Sequence, residues 1–248
     1  MWTPRALASE RRPIAATAWR LVESQSRVAT MKIVDSLSEQ ELLEAELERS
    51  KPLIPAECGH LHWLLATPFR YAPYPYGSRF RRARQREGCL YAAERVETAV
   101  AEDAFYRLLF FLDAPAAKRP QNPQERTAFS LRVATEAGLD LTAPPLSADE
   151  AVWTHPTVYG PCQALADAGR EAGIEVLRYR SVRDPGRGAN LAVLACRAVA
   201  CREPEAVQTW HVMLRPDRVE AVREMPRVSL TFRVGEWGAV DGRVAGTL

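Results

Sequence analysis

Two arginines, two tyrosines and a glutamate between positions 70 and 102 have the strongest potential for chemistry: Arg70, Tyr71, Arg79, Tyr91 and Glu102. Guanidinium groups bind phosphate oxygens through paired hydrogen bonds, so Arg70 and Arg79, on either side of a Pro/Tyr-rich spacer, suit a pyrophosphate. Tyr71 and Tyr91 can pack a planar ring or donate a hydroxyl hydrogen bond. Glu102 lies in Ala99-Val-Ala-Glu-Asp-Ala-Phe, where small neighbours let another surface approach closely, and Tyr106 shares its helical face. A carboxylate there could stabilise positive charge at an anomeric carbon as its leaving group departs, or orient an attacking nucleophile. The same spacing also fits an exposed helical glutamate beside Asp103, with the arginines in surface ion pairs.

Ser181 ends the expected strand Val176-Leu-Arg-Tyr-Arg and could bind a phosphate or ribose oxygen, although a loop serine is the simpler reading. There is no GxSxG motif, and His60, His62, His155 and His211 form no recognised arrangement around a serine. Cys58, His60 and His62 offer three donors on one short segment with no partner at zinc-site spacing, so no metal site is assigned. The absence of GxGxxG and of a P-loop leaves Rossmann and NTPase assignments without support.

The elements that must position these residues read as α+β. Ser36 or Ser38 can cap a short acidic helix through Glu48, with Ser36 and Glu39 at capping-box spacing. Prolines 68, 73 and 75 exclude regular helix, leaving turns and a brief strand at 69–71. Further strands are expected at 90–93, 129–133, 175–181, 191–198, 207–214 and 228–234. Helices are expected at 96–112 and at 161–172, the latter with Pro161 at its start and Gly173 as its C-cap. Strands joined so irregularly to helices argue against a doubly wound sheet and for a single mixed domain with a cleft. The division expected is a loose basic leader at 1–30 (Met31 being a possible start), a helical arm at 31–55 and a catalytic domain at 56–240.

Bulk properties narrow the function classes. The 248 residues carry a net charge of only +2, too little to imply nucleic-acid binding. Arginines 79, 81, 82, 84 and 86 form a dense local run. Its later members read as a solvated face, or as a contact for nucleic acid or an acidic partner. Five scattered cysteines without CxxC suggest reduced thiols in a cytoplasmic protein, and no apolar run approaches a membrane span.

In order along the chain, Phe69-Arg-Tyr71, Gly77-Ser-Arg-Phe80, Leu90-Tyr-Ala-Ala93, Thr98-Ala-Val-Ala-Glu102, Gln163-Ala-Leu-Ala166 and Tyr179-Arg-Ser181 resemble the RES-domain family. That family comprises toxins of bacterial RES–Xre toxin–antitoxin modules. The resemblance implies a fold similar to ADP-ribosyltransferase toxins, with NAD as substrate rather than as a resident cofactor. It implies cleavage of the nicotinamide–ribose bond with water or phosphate as acceptor, or transfer of ADP-ribose to a protein. Arg70, Glu102 and Ser181 would be catalytic, and Arg70, Tyr71, Arg79, Tyr91, Gln163 and Ser181 would surround the NAD. The implied partner resembles an Xre-type helix-turn-helix antitoxin, which would make any DNA contact and within whose complex the chain could form homo-oligomers. A non-enzymatic binding module built on the 79–86 run stands as the rival reading.

Overall fold

The computed structural model describes residues 2–24, 34–70, 75–114 and 116–244. The fold is a mixed α+β domain built on one eight-stranded sheet. In chain order its main elements are α1 (Pro4–Ser9), β1 (Arg12–Glu23), α2 (Leu37–Ser50), α3 (Trp63–Ala66), β2 (Leu90–Ala93), α4 (Val96–Asp113) and β3 (Gln124–Asp140). They continue as α5 (Glu150–Trp153), α6 (Gly160–Glu171), β4 (Val176–Arg180), β5 (Ala189–Val193), β6 (Val207–Leu214), β7 (Arg218–Arg223), β8 (Val228–Arg233) and α7 (Val234–Val240).

The sheet order is β1-β2-β5-β4-β3-β6-β7-β8, and β1 also pairs with β3. Five strands therefore close on themselves, while β6, β7 and β8 extend from β3 as a wing. Every pairing is antiparallel except β3 with β4, where Gly138–Asp140 runs alongside Val176–Arg178. Side-chain alternation then sorts the residues of the closed part. Ile14, Ala18, Leu90, Ala92, Leu131, Val133, Val176, Leu191 and Val193 pack into one buried cluster inside it. Their alternates, including Trp19, Tyr91, Ala93, Tyr179 and Asn190, take the other face, where a cavity lies.

Helix α4 covers that face. Val100, Ala101, Ala104, Phe105 and Leu108 pack with Trp210 and Val212 of β6, Val219 and Ala221 of β7, and Trp237 of α7. Helix α6 has Pro161 in its first turn and ends in a left-handed Gly173, φ +71°. The amides of Gly173 and Ile174 there return to the carbonyls of Arg170 and Gly169.

Several expectations are corrected. The leader expected at 1–30 contains α1 and β1, and β1 pairs with β3 from Ile14 opposite Thr135 to Glu23 opposite Arg126. Its alternation is hidden because arginine, proline and alanine fill positions where branched residues would announce a strand. The strand expected at 69–71 is replaced by a 3-10 turn at Thr67–Phe69, and Tyr71 lies outside the described residues. Strand β7 (RVEAVR) went unread because charged residues occupy its exposed face. Cys58 and Cys196, expected as thiols, form a disulfide across 138 positions of sequence. No described helix is long and apolar enough to cross a membrane.

A chain begun at Met31 lacks β1, exposing one edge of β3 and opening the inner core. We expect it to lose cooperative thermal unfolding and to accumulate as aggregate. A soluble shortened chain with an unchanged melting temperature would show that β1 is dispensable.

Candidate active site

The cavity, about 490 Å³, lies between α4, the outer faces of β1, β2, β4 and β5, and the turn at 77–79. Helix α4 presents Ala99, Glu102, Asp103 and Tyr106 to it, the i, i+3, i+4, i+7 positions of one helical face. Ala99 keeps the helix close to the sheet.

Glu102 Oε1 accepts hydrogen bonds from Ser181 Oγ at 2.6 Å and from Asn190 Nδ2 at 2.7 Å. Ser181 Oγ itself accepts from the amides of Arg183 and Asp184, at 3.2 and 3.0 Å. Its single proton is thus directed at Glu102, and the hydroxyl braces the carboxylate. Among the described residues nothing bonds to Glu102 Oε2, and no arginine or lysine pairs with the carboxylate. Two neutral donors fix the group without cancelling its field. Asp103 differs: it pairs with Arg126 at 3.2 Å. Burial, opposed by Arg126 and Arg107, holds its pKa above the ordinary carboxylate value.

The same helical face is locked one turn earlier. Thr98 Oγ1 donates to Asp184 Oδ2 at 2.7 Å, and Asp184 also accepts from the amides of Gly186 and Gly188. A Cβ on Gly188 would stand 2.1 Å from Thr98 Oγ1, so this loop closes only with glycine there.

Arg79 projects from a tight turn in which Ser78 and Arg81 exchange backbone hydrogen bonds. The Tyr91 hydroxyl holds that turn, accepting from the Phe80 amide at 2.9 Å and bonding Ser78 Oγ at 2.8 Å. Burial raises the pKa of Tyr91, keeping this hydroxyl protonated. Phe80 anchors the turn from beneath, edge-on to Tyr179 with ring centroids 4.9 Å apart. Arg79 is only 8% exposed and donates through Nη1 to the carbonyls of Trp153 and His155, at 2.7 and 2.9 Å. Its guanidinium lies 4.8 Å from the centre of the Tyr159 ring, which also lines the cavity.

The structure thus brings Arg79, Tyr91 and Glu102 to one cavity, with Ser181 bonded directly to Glu102. It does not bring Arg70 there. Arg70 donates to the Pro52 carbonyl at 2.5 Å and pairs with Glu48 of α2 at 2.6 Å, so it tethers the acidic helix. Gln163 stands behind the turn rather than in the cavity, donating to the carbonyls of Ser78 and Arg81 at 3.0 and 3.2 Å. The arginine run is likewise divided. Arg79 and Arg81 are buried, Arg82 pairs with Asp167, and Arg84 and Arg86 remain exposed, which removes the continuous cationic surface that the nucleic-acid reading required. Sequence reasoning missed Asn190, Arg183 and Arg243. Asn190 could have been flagged as an amide interrupting the otherwise apolar strand Ala-Asn-Leu-Ala-Val.

The sequence model of the RES domain matches residues 54–215, well over half of the chain. Among solved structures, the chain is similar to the crystal structure of the M. tuberculosis MbcT–MbcA toxin–antitoxin complex. The identity is 14%, the alignment covers 96% of this chain and 95% of that one, and the TM-score is 0.45. No curated protein matches it.

Ser181→Ala removes a donor to Glu102 and the acceptor of two amides, which should cost about 1–3 kcal/mol of stability. In a double-mutant cycle with Glu102→Ala, urea unfolding should give a coupling energy of about 1 kcal/mol between the two sites. Simple additivity would mean that the hydrogen bond does not hold the carboxylate.

Proposed function

The chain belongs to the RES-domain family, and from that premise we propose that it is an NAD-degrading enzyme acting as the toxin of a toxin–antitoxin pair. One observation carries the reading: a carboxylate fixed by two neutral donors, unpaired with any described cation, at the wall of a cavity also lined by arginines. A volume of about 490 Å³ falls within the range of small-molecule sites, about 300–1,000 Å³.

In this reading the diphosphate of NAD sits against the arginine side of the cavity, and Tyr91 and Tyr159 frame its rings. The bond between ribose C1′ and the nicotinamide nitrogen breaks, and the leaving group takes the electron pair and departs neutral. Positive charge develops on the ribose, where Glu102 Oε2 meets it. In a site screened from water that interaction is far stronger than in bulk solvent. The neutral Ser181 and Asn190 donors hold the carboxylate oriented before the charge appears, so little reorganisation accompanies bond breaking. Water then adds to C1′ and releases a proton, giving ADP-ribose; with phosphate as acceptor, the product is the 1-phosphate ester. An Xre-like helix-turn-helix antitoxin would restrain the activity in the cytoplasm, where the substrate is held.

Purified protein should release nicotinamide from NAD, and Glu102→Gln should lower the rate by about a hundred- to a thousandfold, as for loss of one preorganised transition-state contact. Nicotinamide quantified by chromatography decides it, with the variant's melting temperature as the folding control. Equal rates in a folded Glu102→Gln variant would remove Glu102 from the mechanism.

A further inference from the structure

The cavity is completed by residues that lie beyond the RES-domain match. Asp241 and Arg243 follow α7, past position 215, and Arg243 lines the cavity. Their arrangement is costly to build. Arg183, 2% exposed, lies 2.9 Å from Asp241 Oδ2, donates to the Pro156 carbonyl at 2.6 Å and stacks 4.0 Å over Phe105. Trp237 Nε1 fixes the same segment by donating to the Arg183 carbonyl at 2.7 Å. The Asp241 side chain has no exposed surface, and it takes Arg243 in a fork: Nε to Oδ1 at 3.1 Å and Nη2 to Oδ2 at 2.7 Å.

One buried carboxylate therefore serves two guanidiniums, leaving one positive charge in excess. Arg183 is enclosed, whereas the Arg243 side chain keeps 38% of its surface exposed, so the excess is presented there. Asp241 occupies the Nε–Nη2 edge, and Tyr159, another lining residue, interacts with the same guanidinium. Nη2 also reaches the Pro156 carbonyl at 3.5 Å, and the exposed part of the Arg243 side chain lines the cavity, open to an incoming acceptor. A half-exposed cation held rigidly in a concave wall concentrates anions and binds oxyanions with little loss of side-chain entropy.

We propose that Arg243 is a substrate-binding residue that recognises a phosphate oxyanion, the diphosphate of the dinucleotide. This assignment rests on the NAD reading for the identity of the ligand, but the anion site stands on its own geometry. An inorganic phosphate acceptor carries the same chemistry, and kinetics separate the two.

In Arg243→Gln, KM for NAD should rise about ten- to hundredfold with kcat little changed, the effect expected for loss of a charge-assisted hydrogen bond made equally in ground and transition states. A rise confined to KM for inorganic phosphate would overturn the diphosphate assignment and place the acceptor there instead. If neither constant moves, Arg243 has no binding role. Should the wild-type protein release no nicotinamide, calorimetry with inorganic pyrophosphate replaces the kinetics. Binding by wild type that is lost in Arg243→Gln supports the anion site without the NAD reading; no binding, or equal binding by both, overturns it. If Arg243→Gln does not fold, Arg243→Lys, which keeps the charge but loses the fork, should show a smaller rise in the same constant, and an unchanged constant overturns the proposal.

Discussion

The seam between α4 and the β4–β5 hairpin is the contact on which the rest of the site depends. It consists of two links one helical turn apart, Thr98 to Asp184 and Glu102 to Ser181 and Asn190. Together they set the rotation of the helix about its axis. With that rotation fixed, Val100, Ala104, Phe105 and Leu108 meet the β6–β8 wing, while Ala99, Glu102 and Tyr106 meet the cavity. Buried polar links of this kind contribute modest net stability but penalise alternatives strongly, since any slip leaves donors and acceptors unpaired. Placing the carboxylate and folding the domain are therefore one event.

The surrounding architecture supplies two further constraints. Closure of β1 onto both β2 and β3 gives the cavity a continuous floor, with Trp19, Tyr91 and Asn190 on its outer face. At the opposite wall the Arg183–Asp241–Arg243 cluster ties the C-terminal segment to the hairpin that carries Ser181. A buried ion pair is a poor source of net stability because desolvation offsets its attraction, yet breaking one leaves a charge stranded. Its role here is geometric: it fixes where the half-exposed guanidinium stands.

What could be read in the sequence follows the range of the interactions involved. Helix α4, strand β2 and the cap of α6 are written in local periodicity and turn chemistry, and their bounds lie close to those expected. Glu102 was legible because a carboxylate among small apolar residues is locally anomalous. Arg70 and Arg79 look alike in sequence, and only the fold sends one to Glu48 and the other to the cavity. Gln163 was recognised as part of an ordered motif, but its partners are two backbone carbonyls, which no side-chain pattern reveals. Strand β1 was missed because its pairing with β3 spans more than a hundred positions and its composition is that of a loose tail. The Cys58–Cys196 bond was hidden by a similar distance, and the Asp241–Arg183 pair, though closer in sequence, is also non-local.

The central claim is that Glu102 acts on positive charge developing at the ribose C1′. The most direct measurement is the secondary isotope effect of hydrogen at that carbon during nicotinamide release. A dissociative, cation-like transition state predicts a large normal effect, because the out-of-plane motion of that hydrogen loosens as the bond to nitrogen breaks. Rate-limiting chemistry with an effect near unity would contradict the account, as would a folded protein that releases no nicotinamide.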